Sequence, residues 1–346
     1  MIRDVTLLWA LRSPCHLACR YCYFGDLDEH RLAPPTSAGQ LSHLSRTDAS
    51  MADIDAFLSG VEHSAVQRVF LAGGEPLNWP PALSIARKLK NAGVEVIICT
   101  NGIPLNRPEI AAHLIDLGID AVSISVDSAE PAHHDHYRPS RTGRHGWTEV
   151  INGIRHLLAT RGTSAVPKIG LYTVITRRNI PAIVQVAELA AQFGLDYFVP
   201  QPVSLPSGHK LHEELSLRPG DGPAATAALT ALYHRRLPVG LPAADYQGRF
   251  AAAIGTEDLL QVKDCFGGHT LHFIEPDGSV WDCPSSYKIA ATPHGRRRTI
   301  IGHRAAELFD PARSSCLSDC ALASRDCVNM WPLMGFGRII AAQDSR

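Results

Sequence analysis

The chain has 346 residues, 45% of them apolar and 19% charged, with 33 Lys and Arg against 34 Asp and Glu. That length suits about two domains with a sizeable core. The apolar content and balanced charge exclude a disordered chain and a nucleic-acid binder that works through a global basic field.

No uncharged apolar run approaches the roughly 18–20 residues of a membrane helix, and the opening segment is too short and too soon charged for a secretory signal. The sequence therefore predicts a cytoplasmic protein with neither membrane nor nucleic acid as partner. Nine cysteines in that reducing compartment point to metal or redox chemistry rather than disulfides.

In chain order, apolar runs rich in β-branched residues predict strands at 5–11, 68–72, 95–100, 121–126, 168–175 and 196–200. Amphipathic helices are predicted between them at 49–63, 81–92, 108–117, 148–160 and 180–193. Gly93, Gly118 and Gly194 stand where helix C-caps belong. Repeated strand–helix units predict an α/β fold, a partial (β/α)6 TIM-type barrel whose chemistry sits at the carboxyl ends of the strands. Two long loops, 25–47 and 128–146, interrupt the pattern and are candidate substrate-facing elements.

From 204 to 264 the pattern breaks into a bridging segment with short helices at 224–235 and 243–255. The tail, 265–346, opens with a predicted hairpin, 269–275 and 279–282, around the turn Pro276, Asp277, Gly278. The expected organisation is thus a core at 1–203, the bridge, and a small C-terminal module. The run Arg296, Arg297, Arg298 reads as a solvated surface loop.

The cysteines are clustered. Cys99 stands alone in an apolar strand and reads as a small core residue. Cys15, Cys19 and Cys22 directly follow the first strand. Three thiolates on such a loop can hold three irons of a [4Fe–4S] cube and leave the fourth iron open. A structural zinc would want four closed ligands, and no fourth Cys or His stands at zinc-finger spacing here. Gly73, Gly74, Glu75 and Pro76 end the second strand, and Thr100, Asn101 and Gly102 end the third. Together with Tyr21 before the last cysteine, these motifs over roughly residues 5–203 resemble the radical S-adenosylmethionine (radical SAM) superfamily.

The resemblance implies a [4Fe–4S] cluster held by Cys15, Cys19 and Cys22, with SAM on the open iron and a reductant such as flavodoxin or ferredoxin. SAM would be cleaved to methionine and a 5′-deoxyadenosyl radical that abstracts a substrate hydrogen. It also implies site roles. Gly73 and Gly74 let the backbone approach SAM's amino end, and the Glu75 carboxylate or nearby carbonyls accept from that amino group. Tyr21 and the Phe24 backbone meet the adenine. Asn101 joins the cofactor site. Ser125 and Asp127, on one face of the fourth strand, touch the ribose or methionine part. Arg138 grips the SAM carboxylate. For Ser125, Asp127 and Arg138 ordinary rim polarity is the alternative. His133, His134 and His136 read as polar rim within reach of substrate, Gln201 as facing the barrel mouth, and 327–332 as packing the tail on the barrel.

Cys265 and Cys283, spaced Cys-x12-Gly-x4-Cys through Gly278, resemble the hairpin of the SPASM and twitch auxiliary-cluster extensions. SPASM domains carry further cysteines beyond this point. Here only Cys316, Cys320 and Cys327 follow. Four of these five tail cysteines would complete one auxiliary [4Fe–4S] cluster in a twitch/SPASM-like module. The spare, among Cys316, Cys320 and Cys327, is either inert or a hydrogen-atom donor of the kind some radical SAM epimerases require. A four-thiolate zinc site could be drawn from the same five.

The resemblance further implies natural-product biosynthesis by a radical SAM oxidoreductase or isomerase. The favoured role is a ribosomal-peptide maturase (cross-link, oxidation or epimerisation). The alternative is a dehydrogenase or epimerase of a sugar or aminocyclitol intermediate. A non-catalytic iron–sulfur scaffold is set aside because the SAM motifs are intact. With the first strand starting near Val5, a maturase of this length is expected to use a separate peptide-recognition protein or to bind its leader in 204–264.

Overall fold

The computed structural model describes residues 3–11, 15–22, 48–144, 146–205, 208–255, 262–285, 289, 292–293, 295, 297–312, 318–320 and 325–341. The predicted loop 25–47, Phe24, Arg296 and Cys316 lie outside these residues.

Six strands, β1 (Val5–Leu11), β2 (Val66–Gly73), β3 (Glu95–Thr100), β4 (Ala121–Ser125), β5 (Lys168–Ile175) and β6 (Tyr197–Pro202), lie side by side in parallel and in chain order. Their sequences are nearly continuous apolar runs because both faces are covered. Helices Met51–Leu58, Pro81–Asn91, Pro108–Asp116, Trp147–Arg161 and Ala182–Gln192 connect them. The first of these starts at a Ser50/Asp53 capping box. Gly93, Gly118 and Gly194 close three of them in the left-handed region, at φ 72°, 61° and 67°. The parallel βα repeat of a partial barrel is therefore present.

Two local expectations are corrected. The predicted helix 49–63 is a helix at Met51–Leu58 and a separate 3-10 turn at Val61–His63, broken by Gly60 at φ 78°. The predicted loop 128–146 contains the helix Pro131–Tyr137, opened by a proline in its first turn.

One face of the sheet packs on the helices through Val69, Leu71, Val96, Ile98, Val122 and Ile124. The other face encloses a second cluster that includes Ala10, Phe70, Ile97, Tyr197 and Val199. Tail helices Trp331–Met334 and Phe336–Ala341 close that interior: the Phe336 ring meets Phe70 at 5.2 Å and Tyr197 at 5.3 Å. Gly170 on β5 makes room for Tyr197, since a Cβ there would fall 2.3 Å from its ring.

In the tail, β7 (Val262–Cys265) is followed by the predicted hairpin, β8 (Leu271–Ile274) and β9 (Ser279–Trp281). β8 pairs in parallel with β1. With β10 (Arg298–Thr299) the main sheet reaches nine strands, in the order β10-β9-β8-β1-β2-β3-β4-β5-β6. β7 pairs separately with β11 (Ser318–Cys320). The bridge carries helices Gly222–His234 and Ala244–Gly255, and the Tyr246 hydroxyl donates to the Pro200 carbonyl at 2.6 Å, tying the bridge to β6.

Candidate functional site

Cys15, Cys19 and Cys22 lie on the loop that leaves β1 at its carboxyl end. The segment after helix Pro131–Tyr137 clamps this loop by backbone hydrogen bonds: Ala18 N–H to Pro139 O (2.8 Å), Arg20 N–H to Tyr137 O (2.9 Å) and Arg141 N–H to His16 O (2.9 Å). Cys15 is buried, and Cys19 and Cys22 are half-buried. Burial, reinforced by the nearby Cys19 and Cys22 sulfurs, pushes the Cys15 thiol up. Burial raises Cys19 as well, against the pull of Arg138. Desolvated thiols gathered like this become thiolates when a soft metal replaces their protons. Among the described residues, no three His, Cys, Asp or Glu side chains close on a single metal ion. Three thiols on one loop, able to take one iron each, are the donor set of a cluster that keeps its fourth iron open.

The Gly73–Pro76 turn is locked to its neighbours. Gly73 has φ 123°, and a Cβ there would stand 2.1 Å from the Leu11 carbonyl oxygen. Only glycine lets the end of β2 press on the base of the cysteine loop. Glu75 is fully buried. Its Oε1 accepts from Leu77 N–H (3.1 Å) and from the Thr100 hydroxyl (2.8 Å), and its Oε2 from Asn101 N–H (2.7 Å). Burial pushes this carboxyl up to about 7, while the donors pull it back. Asn101 is fixed in turn: Oδ1 accepts from Ile103 N–H at 3.0 Å, and its buried Nδ2 has no described partner.

A second network centres on Asp127, also fully buried. Its carboxylate accepts from the Tyr21 hydroxyl (2.6 Å), from Val174 N–H (2.7 Å) and from Arg138 Nε. Arg138 Nη1 also reaches Cys19 Sγ at 3.6 Å. Burial works to raise Asp127, but the Arg138 guanidinium outweighs it and holds the carboxyl below its usual range. Asp127 N–H donates to His134 Nδ1 at 3.4 Å, and burial pushes His134 down to about 4.

The structure thus gathers Cys15, Cys19, Cys22, Tyr21, Gly73, Gly74, Glu75, Asn101, Ser125, Asp127 and Arg138 at the carboxyl ends of β1–β4. Glu75 and Asp127 are committed to partners within the chain. Thr100, from the Thr-Asn-Gly motif, and Val174 belong to the same networks, and so does His134, which is buried rather than at the polar rim. Only the tertiary contacts reveal Val174 and the partners of the other two.

Cys99 is half-buried on the inner face of β3, with burial pushing its thiol up to about 12. Gln201, at the end of β6, donates from Nε2 to Asn329 O at 3.4 Å, and Asn329 Nδ2 donates to Pro202 O at 3.1 Å. These bonds hold the 3-10 helix Arg325–Met330, which carries Cys327, against β6. In the tail, Cys265 and Cys283 converge on Gly267. Its N–H points at Cys265 Sγ (3.4 Å), and a Cβ there would lie 3.3 Å from Cys283 Cβ. Cys320 ends β11.

Residues 14–190 match the family model described as Radical SAM superfamily. The chain is 30% identical over 189 residues to the AdoMet-dependent heme synthase of Methanosarcina barkeri (strain Fusaro / DSM 804), covering 54% of this chain and 47% of that protein. It is 27% identical over 282 residues to the mycofactocin maturase MftC of Mycobacterium ulcerans (strain Agy99), covering 81% of this chain and 68% of that one. The chain thus spans about half of the first relative and two thirds of the second. The fold matches that of native anSMEcpe with bound AdoMet at TM-score 0.62 and 15% identity, covering 99% of each chain. Streptococcus suis SuiB bound to S-adenosylmethionine matches at TM-score 0.61 and 13% identity, over 97% of this chain and 68% of that one.

Proposed function

The chain belongs to the radical SAM superfamily, and from that premise we propose that it is a cytoplasmic ribosomal-peptide maturase that cross-links, oxidises or epimerises its substrate. The observation that carries this reading is the alignment to the mycofactocin maturase MftC over 282 residues, which runs well beyond the 14–190 family region. A fold shared with SuiB, a protein also solved bound to its precursor peptide, agrees with it. The relatives named for heme synthesis and for GTP cyclisation act by name on small molecules, which accords with small-molecule chemistry as the second reading: a dehydrogenase or epimerase of a sugar or aminocyclitol.

Cys15, Cys19 and Cys22 would hold the [4Fe–4S] cluster. When bound, the cluster and SAM together supply a 5′-deoxyadenosyl radical able to take a hydrogen atom from the substrate. The chain's own residues position and shield this chemistry. Gly73 and Gly74 bring backbone close to SAM's amino end. Because both Glu75 oxygens are committed, backbone carbonyls of the turn take the acceptor role toward the amino group. The unspent Nδ2 of Asn101 suits a carboxylate or ribose oxygen, as does the Ser125 hydroxyl at the end of β4. Arg138 gives Nε and Nη1 to Asp127 and Cys19, which leaves Nη2 for a SAM carboxylate. With its hydroxyl on Asp127, Tyr21 offers the adenine its ring face. The Phe24 backbone is assigned the same neighbour.

Four of Cys265, Cys283, Cys316, Cys320 and Cys327 would hold one auxiliary [4Fe–4S] cluster, and the convergence of Cys265 and Cys283 on Gly267 supports this. Electrons would come from a flavodoxin or ferredoxin, and a separate recognition protein would present the peptide.

The test uses protein purified anaerobically. Cys15, Cys19 and Cys22 all changed to Ala should abolish 5′-deoxyadenosine formation while about half the iron remains, in a tail cluster visible by EPR. Unchanged SAM cleavage refutes the site, and loss of every iron–sulfur signal refutes the auxiliary cluster. Peptides encoded beside the gene are then assayed in D2O. One deuteron gained at an inverted carbon marks epimerisation, and loss of two hydrogens marks oxidation or cross-linking. No mass or stereochemical change in any such peptide removes the maturase reading.

A further inference from the structure

The Asp127–Arg138 pair does more than brace the fold. Arg138 is a bridge: Nε bonds the Asp127 carboxylate and Nη1 lies 3.6 Å from Cys19 Sγ. Both partners are withdrawn from water, with side-chain exposures of 10% for Arg138 and 0% for Asp127. The Asp127 carboxylate also accepts from the Tyr21 hydroxyl and from Val174 N–H. These bonds come from three elements (the cysteine loop, β5 and the segment after helix Pro131–Tyr137), so the guanidinium is held where it is. A charge fixed in a dry site acts on its neighbours far more strongly than a solvated one.

We infer that Arg138, positioned by Asp127, sets the reduction potential of the cluster that Cys19 would ligate. The inference rests on the cluster assignment above. Reduction adds one electron to the cluster and its thiolates. A donor on a ligand sulfur and a fixed positive charge both stabilise the reduced form, and a fixed carboxylate opposes it. Arg138 therefore raises the potential, and Asp127 sets how far by cancelling part of that charge. The two side chains pull in opposite directions although they form one ion pair, which separates this role from simple bracing.

The experiment is an EPR-monitored redox titration of the anaerobic holoenzyme without SAM, following the signal that a separate SAM addition perturbs. Arg138→Gln should make reduction at least tenfold less favourable, which is about 59 mV lower for one electron. Asp127→Asn should shift the same equilibrium the other way by a similar factor. Each of these variants leaves a buried group unpaired. Arg138→Lys is therefore included: it keeps the charge but not the planar fork that reaches both partners, and it should make reduction at least threefold less favourable. Shifts of the same sign in Arg138→Gln and Asp127→Asn, or an unshifted Arg138→Lys, overturn the inference alone. A wild-type protein with no SAM-responsive signal overturns the cluster assignment and this inference with it.

Discussion

Removing the Glu75 carboxylate should unlock the two strand ends that frame the site. In Glu75→Ala the Thr100 hydroxyl can turn elsewhere, but Leu77 N–H and Asn101 N–H lose their acceptor in a place sealed from water. Leu77 is 3% exposed and Asn101 7%. A buried unsatisfied donor costs about 1–3 kcal/mol, so the variant should lose about 2–6 kcal/mol. Glu75→Gln keeps one carbonyl oxygen, which can serve Asn101 N–H as Oε2 does at 2.7 Å. Its amide nitrogen then faces Leu77 N–H, a donor against a donor. One unpaired group remains, at about 1–3 kcal/mol. The assay is urea unfolding at neutral pH, followed by circular dichroism, comparing midpoints at a shared slope. A loss in Glu75→Ala below about 1 kcal/mol, or an equal loss in both variants, would refute the view that this carboxylate works as a three-bond brace.

Two further outcomes follow from the structure. His134 is buried, accepts from Asp127 N–H, and is pushed down from 6.5 to about 4. It is neutral in the fold, so its contribution is present above the unfolded value and is lost as pH falls from about 6.5 through about 4. His134→Asn retains an acceptor without a titrating group. Relative to this variant, the wild type should lose about 3 kcal/mol over that window. Parallel stability–pH curves would count against a buried neutral imidazole. Gly170→Ala would set a Cβ 2.3 Å from the Tyr197 ring, whose hydroxyl bonds Ser123 at 2.8 Å. The expected cost is about 1–3 kcal/mol, read as a lower thermal midpoint, and an unchanged midpoint would contradict the close approach.

The strands were legible in the sequence because a parallel strand covered on both faces must be a continuous apolar run. The glycines at 93, 118 and 194 marked helix ends because few other residues accept a left-handed C-cap. Helix Pro131–Tyr137 was missed because three of its seven residues are histidine, and a short polar turn of helix gives no apolar period. The cysteine spacing and the glycine turn announced the chemistry, since three thiolates after a strand beside a Gly-Gly-Glu turn are a rare combination.

Contacts distant in sequence could not be read in this way. The hairpin was visible from its turn, but its place beside β1 depends on which sheet edge stands open, and some 260 residues separate the two strands. Glu75 was legible as part of the glycine turn, and Asp127 and Arg138 as rim residues that the resemblance sets against SAM, but their partners within the chain were not. Whether a carboxylate faces a ligand or spends its lone pairs inside the fold depends on which backbone N–H groups and which guanidinium the chain brings to it. By itself the sequence determined the strand–helix repeat and the kind of chemistry, because both rest on local patterns of residue type. Only the tertiary structure decided that Glu75 ties β2 to β3 and that Arg138 links Asp127 to a cysteine of the site, because burial and hydrogen-bond partners are properties of the packed chain.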